Sequence, residues 1–384
     1  MSYCLTSNTI VAEYVWIGGS GELRSKSRVI TSFRKEAISV TDMPDWDYDG
    51  SSTSQAHTEN SEIILKPCVL YRDPFRHQLY KGTTRGIDCF LVLCSTFLPD
   101  GTPAKNNHRS KAEQIFKDCD KVAGIYNEET KTIDYIYSAE PWFGFEQEYF
   151  IFSNDTNLPL GFHNAVEQGQ YYCSVGTKNA LGRKIVEDHF KKCLDIGLEI
   201  TGINAEVAPS QWEFQILGKG IVAADDLIIA RYVLERVTED HNVYIVWHPK
   251  PLQNGLWNGS GLHTNFSTKT MRNSTKDLSE IYKAIDKLEA AHEAHMAVYG
   301  QDNEQRLTGD CETSSFTHFK RSTSSGDRSS GDRSSGDKSS GDRSSGDRSA
   351  SCRVRNGYFE DRRPAANADP YLVSAAIYET VCLH

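Results

Sequence analysis

Residues 140–152 read EPWFGFEQEYFIF. Alternation along an extended chain sends Phe145, Gln147, Tyr149 and Ile151 to one face and Glu146 and Glu148 to the other. Two carboxylates therefore project the same way from a segment whose other face is mostly apolar. A second stretch, GINAEVAPSQWEFQI at 202–216, repeats the pattern. A turn at Ala208 to Gln211 would join two strands, set Glu206 directly opposite Glu213, and leave Trp212, Phe214 and Ile216 on the core face. Like charges facing each other across a strand pair are destabilising unless something positive lies between them. In GSGLHTNFST (259–268) His263, Asn265 and Ser267 share one face; in GYFEDRR (357–363) Tyr358, Glu360 and Arg362 do. Any one such residue is ordinarily a solvated polar group. Four strands that together offer five carboxylates and one imidazole read instead as a site for a hard divalent cation, Mg²⁺ or Mn²⁺, rather than Zn²⁺ or copper.

Outward from these strands the pattern divides in two. Residues 11–30 alternate around GGSGE and predict a hairpin, and the chain as far as about Pro99 is rich in strands and turns. Beyond about Lys105, apolar residues at helical spacing predict helices within 179–198, 225–241 and 276–299, interleaved with strands. The expectation is an α+β chain: a small β domain at 1–104 and a larger domain of antiparallel sheet and helices at 105–384.

The 384 residues carry a formal charge of -10, which disfavours nucleic acid or an anionic membrane as partner. The ten cysteines contain no C-x-x-C pair, and no window reaches the ~18 apolar residues of a membrane span. These features, with an N-terminus MSYCLTSNTIVAEYVW that lacks a basic leader before an apolar core, predict a cytoplasmic protein without a structural zinc.

Arg348, Arg353, Arg362 and Arg363 cluster beside Glu360, and the residues alone leave open a solvated basic patch or a phosphate clamp. DYDGSS at 47–52 is by itself a turn signal. The tract SSGDRSSGDRSSGDKSSGDRSSGDR at 324–348 has no apolar residue, so it cannot bury a core and reads as a flexible loop over 322–348.

Seven stretches taken in order resemble the glutamine synthetase family, in particular its eukaryotic (type II) branch: AEYVWIGGSGELRSKSRV, PDWDYDGSST, WFGFEQEYF, NAEVAPSQWEFQI, WNGSGLHTNFST, RLTGDCET and NGYFEDRRPAANADPY. They span nearly the whole chain outside the repeat. The resemblance implies an N-terminal β-grasp domain, a C-terminal catalytic domain, and ATP-dependent joining of ammonia to L-glutamate through γ-glutamyl phosphate. It implies one metal site at Glu148, Glu206 and Glu213 and another at Glu146, His263 and Glu360, with two or more Mg²⁺ or Mn²⁺ ions in each active site.

By the same resemblance ATP would meet Glu146, Glu213, Asn265, Phe266, Ser267, Arg348, Arg353 and Tyr358. Glutamate would meet Leu256, Trp257, Asn258, Arg306, Arg348 and Arg362. Asp49 matches the family's ammonium-binding base, Glu312 the flap residue that closes over the intermediate, and Arg348 a catalytic arginine. The family also implies a homodecamer of two stacked five-membered rings, with Asp49 acting on a neighbour's site. The repeat then sits where relatives carry a short loop, as a tandem expansion whose last copy supplies Arg348; each doubling of loop length costs only about 0.6 kcal/mol.

Two other readings of this fold are a non-catalytic assembly protein, which predicts lost metal ligands, and a ligase for a larger amine, which predicts a replaced ammonium site. The ligand residues, Asp49 and Glu312 are all present. Gln305, Asp310 and Cys311 interrupt the family pattern around Arg306, which bears on glutamate affinity.

Overall fold

The computed structural model describes residues 7–33, 38–76, 87–118, 124–127, 132–135, 139–165, 169–274, 277–322 and 347–383. Nearly all of the repeat, and with it the expanded loop expected at 322–348, lies outside them.

Two sheets organise the chain, as the α+β expectation requires. The first is built from β1 (Ser7–Ile17), β2 (Leu23–Phe33), β3 (Trp46–Asp49), β4 (Glu62–Arg72) and β5 (Ile87–Phe97). Its order is β2-β1-β5-β4-β3, with β1 and β5 parallel at the centre and antiparallel pairs outside them. The predicted hairpin is β1 and β2, paired from Ser7↔Phe33 to Ile17↔Leu23. One face of this sheet buries Ile10, Tyr14, Trp16, Ile63, Leu65 and Val92 in a core that also takes in Ala104.

A two-stranded hairpin, β6 (Gly124–Asn127) with β7 (Thr132–Tyr135), precedes the second sheet. That sheet comprises β8 (Trp142–Ser153), β9 (Ile200–Ala205), β10 (Gln211–Lys219), β11 (Val243–Val246), β12 (Leu262–Ser267), β13 (Cys352–Arg355) and β14 (Tyr358–Asp361). All of its pairs are antiparallel, and its order is β13-β14-β12-β8-β10-β9, with β11 also on β8. Aromatic side chains on the rear face, Phe143, Phe145, Tyr149 and Phe214 among them, enter the main core together with the helix Val222–Thr238. Burying such faces is what holds a sheet of this size to its helices.

The helices at Arg183–Asp195 and Val222–Thr238 fall where apolar spacing predicts them. The third predicted segment is two helices, Ser279–Ala290 and His292–Met296, broken at Ala291 with φ -93 and ψ 11. The break turns His292 and His295 toward the Arg363 guanidinium, at 3.0 and 3.1 Å. Among the described residues no helix is long and apolar enough to cross a membrane.

Buried polar contacts join the helices to one another and to the first sheet. Arg109 makes a two-pronged pair with Asp225 at 2.8 and 2.9 Å, and Tyr371 donates to the same carboxylate at 2.6 Å. Asp226 receives only the Tyr71 phenol of β4, at 2.8 Å, among the described residues. Burial pushes the Asp226 carboxyl up to about 7; the Tyr71 bond opposes this, and the charges of Asp225 and Glu199 add to it.

The native state therefore holds a proton here that the unfolded chain releases near pH 4, and the stabilisation this confers is lost as pH rises toward 7. Asp226→Asn keeps the Tyr71 bond and should flatten that loss. Chemical-denaturation curves at pH 5 to 8 should show the wild type losing up to about 1.4 kcal/mol per pH unit relative to the variant. Parallel pH profiles would exclude it.

Candidate active site

The acid-rich face of the second sheet begins with β8. Glu146 and Glu148 point forward from it while Gln147, fully buried, points back and accepts two bonds from Arg231. Strand pairing brings the other groups to them. His263 of β12 lies directly opposite Glu146, and Glu213 of β10 directly opposite Glu148. On the far side of β12, Asn265 is opposite Glu360, which in turn faces Arg353 of β13.

One expected pairing is different. The turn Ala208–Gln211 forms, with Gln211 N donating to Ala208 O at 3.1 Å and Ser210 at φ 51. Val207, however, is left out of the ladder: Glu206 N donates to Gln211 O at 2.8 Å, so Asn204, not Glu206, stands opposite Glu213. A slip of two residues leaves every side chain on its expected face, because the period of a strand is two. Glu206 thus still reaches Glu213, diagonally, while the directly opposed acidic pair is Glu213 with Glu148.

Two triads result. Ligand-type atoms of Glu146, His263 and Glu360 all lie within 4.8 Å of one another, and so do those of Glu148, Glu206 and Glu213. In the first, His263 Nδ1 is 3.5 Å from Glu146 and 4.0 Å from Glu360. Burial, reinforced by Arg362 and Arg306, pushes the His263 imidazole down to about 4 despite nearby Glu148 and Glu360, so the ring is neutral. In the second, burial and then the Glu148 charge push Glu206 up to about 8. Burial and the charges of Glu146, Glu206 and Glu148 push Glu213 well above the usual carboxylate range. Buried carboxylates that repel each other, beside a neutral imidazole, form a donor set that hard divalent cations fit.

Arginines rim the first triad. Arg353 and Arg355 each approach Glu360 at 3.1 Å, and Arg362 Nε at 3.3 Å. Arg355 is absent from the sequence-predicted set, although it shares the Arg353 face two residues on. Arg363 does not join this rim. Alternation turns it inward, where it is fully buried against Asp361 at 2.7 Å, and this corrects its place in the predicted arginine cluster.

Arg348 pairs with Glu312 at 2.7 Å and covers the Tyr172 ring at 5.5 Å. Arg362 donates to the Arg348 carbonyl and to the Glu312 carbonyl, the latter at 3.2 Å. Cys311 and Glu312 both take left-handed φ, 49 and 63, a conformation that costs non-glycine residues energy and occurs in functional turns.

Beside Glu146 opens a cavity of about 410 Å³ bordered by Asn265, Ser267, Tyr358, Gln215, Trp142 and Arg272. Trp142, Gln215 and Arg272 are not among the predicted residues. Phe266 borders it too, but its ring packs into the core against Phe143 and Phe359 at 5.1 and 5.5 Å. Its backbone is what remains to face a ligand.

In the segment before β12, Trp257 is buried against Phe162, Asn258 is buried, and Leu256 is exposed. Arg306 is buried and donates to the carbonyls of Arg362, Arg363 and Pro364 at 3.1, 2.8 and 2.9 Å. It therefore shapes the turn that presents Arg362. Asp49 stands apart. Exposed at the end of β3, it accepts from Ser51 and Ser52 of its own loop, and none of its hydrogen bonds among the described residues reaches the second sheet.

Comparison with known proteins finds a matching family and similar relatives. The family described as glutamine synthetase, catalytic domain, matches residues 128–297. The chain is 48% identical over 379 residues to a putative glutamine synthetase of Acanthamoeba polyphaga mimivirus, an alignment that covers 98% of this chain and 95% of that one. It is 44% identical over 382 residues to glutamine synthetase cytosolic isozyme 1-2 of Oryza sativa subsp. japonica, with 98% and 95% covered. Against glutamine synthetase N-1 of Phaseolus vulgaris the identity is 42% over 383 residues, again with 98% and 95% covered.

Proposed function

This chain belongs to the glutamine synthetase family, of eukaryotic type, and from that premise we propose how its side chains divide the reaction. The protein is a glutamate–ammonia ligase that joins ammonia to L-glutamate and converts ATP to ADP and phosphate. Two triads on one sheet, linked by the neighbouring Glu146 and Glu148 of β8, are the observation that carries the mechanism. Glu146, His263 and Glu360 would hold one divalent ion and Glu148, Glu206 and Glu213 another, Mg²⁺ or Mn²⁺. Bound there, such ions neutralise charge on transferring phosphate oxygens.

The residues of the chain do the rest. The cavity beside Glu146, Asn265, Ser267 and Tyr358 receives the nucleotide. Arg348 and Arg353 meet its phosphates with forked N–H donors, which match phosphate oxygens in pairs. The γ-carboxylate of glutamate, a poor electrophile, takes the γ-phosphoryl group while Arg362 holds the substrate and Arg306 fixes the Arg362 turn; Leu256, Trp257 and Asn258 line the glutamate side. Glu312 closes over the resulting acyl phosphate and excludes the water that would hydrolyse it. Asp49 removes a proton from ammonium, which is not nucleophilic until then.

The local bonding of Asp49 supports its acting on the site of a neighbouring subunit. We accordingly assign a domain boundary at 104/105, with 1–104 supplied in trans, within a closed homo-oligomer of decameric type. The cytosolic designation of the rice relative supports a cytoplasmic location.

The test is ADP release with Mg²⁺ or Mn²⁺, expected to require both glutamate and ammonium; release that ignores glutamate would overturn the reading. Co-expression of Asp49→Ala with Glu148→Ala tests the shared site. Each variant alone should be inactive, and random mixing should restore about one quarter of the sites, since half the subunits supply each intact part. No recovery in mixed oligomers would place Asp49 and Glu148 in the same subunit's site.

A further inference from the structure

Between the carboxylates of the second triad runs a chain of two side-chain amides. Gln215 Nε2 donates to Glu213 Oε1 and also to Asn204 Oδ1, the latter at 2.8 Å. Asn204 Nδ2 in turn donates to Glu206 Oε1 at 2.9 Å. The direction of this chain is dictated by its ends once the acids serve as ligands: a carboxylate that holds a cation is deprotonated and only accepts, so each end must meet an N–H, and the amide oxygen of Asn204 is left to receive the second hydrogen of Gln215.

Strand geometry places both amides. Asn204 is directly opposite Glu213, in the position first expected for Glu206, and Gln215 is two residues beyond Glu213 on the same face. Across the other edge Gln215 stands opposite Glu146, so it lies between the two triads and borders the cavity beside them. The residue opposite Gln215 on β9 is Gly202, and a Cβ there would lie 2.5 Å from Gln215 Oε1. Only a glycine leaves room for the amide oxygen and lets the NH₂ group turn toward the acids.

We infer that Gln215 and Asn204 are positioning residues that hold Glu213 and Glu206 in one fixed orientation and so set the cation affinity of the second triad. The inference rests on the reading of that triad as a metal site. Two repelling carboxylates with free torsions would swing apart; tied through a shared pair of amides they converge. Groups that orient ligating side chains in this way typically alter metal affinity 10- to 100-fold when removed.

The experiment is a titration of the substrate-free enzyme with Mn²⁺, reading free Mn²⁺ by electron paramagnetic resonance. Gln215→Met keeps the length and apolar stem of the side chain and removes the amide; Asn204→Leu does the same at the other link and serves where the first variant fails to fold. Either should weaken one of the two Mn²⁺ equivalents about 10- to 100-fold and leave the other near its wild-type affinity. The double variant should be no weaker than the worse single one, because both break one chain. Thermal melts in EDTA, expected near the wild-type value, separate this from a loss of fold.

Glu213→Ala provides the control. Wild-type binding in Glu213→Ala would sink the metal reading itself. Weakened binding in Glu213→Ala with unchanged binding in the folded amide variants would sink the positioning role alone.

Discussion

Glu148→Ala should lower glutamate-dependent ADP release by about a thousandfold or more while making the metal-free protein harder to unfold. Glu148 is buried, stands opposite Glu213 and accepts from Gly261 N at 2.6 Å. Its loss leaves the second triad with two of three ligands. Cation stabilisation of a transferring phosphoryl group is worth several kcal/mol, and about 1.4 kcal/mol is a factor of ten in rate. In EDTA the sign reverses. The Glu148 charge is one of the causes that push the Glu206 and Glu213 carboxyls up, so its removal relieves an unfavourable interaction that only the native state experiences. Turnover assays together with melts in EDTA check both halves. Activity within tenfold of wild type, or a destabilised metal-free variant, would contradict the assignment.

Arg363→Met should cost about 3–5 kcal/mol of stability, by the general cost of leaving one member of a buried ion pair alone. Arg363 and Asp361 are both fully buried, with Nη2 and Nε at 2.7 and 2.9 Å from the carboxylate oxygens. The same guanidinium meets His292 and His295 and packs on the rings of Tyr299 and Phe319. In the variant, among the described residues, the Asp361 charge keeps the Tyr299 phenol, at 2.9 Å, the backbone N–H at position 363, at 3.1 Å, and the Cys352 thiol.

Glu360 and Arg362 flank this pair on the opposite face, so the site should loosen along with the fold. Denaturant curves measure the loss, and the double variant Arg363→Met with Asp361→Leu should recover most of it, since two apolar groups leave no orphaned charge. A single variant as stable as wild type would show that Asp361 finds another partner.

Much of the site was legible in the sequence because strands have a period of two. Alternation alone puts Glu146 with Glu148, His263 with Asn265, and Tyr358 with Glu360 on shared faces, and the structure keeps those assignments. Arg363 obeys the same rule: it adjoins Arg362 in the chain, but neighbours on a strand point opposite ways, and it lies in the core. Register was the harder problem. Val207 outside the ladder moved the partner of Glu213 from Glu206 to Asn204, and no local signal announces an unpaired residue next to a turn. The break at Ala291 was hidden for a related reason: apolar spacing runs through it, and the bend answers to Arg363, more than seventy positions away.

The sequence by itself determined the class of fold, the membership of the family and the six side chains of the two triads, since these follow from composition, periodicity and ordered local patterns. Only the tertiary structure decided which acid opposes which, that Asn204 and Gln215 tie two of them together, that Arg355 joins the rim, and that Arg306 is spent on backbone carbonyls. Each of these depends on strand register and on contacts between residues far apart in the chain, where a displacement smaller than one residue separates a hydrogen bond from none.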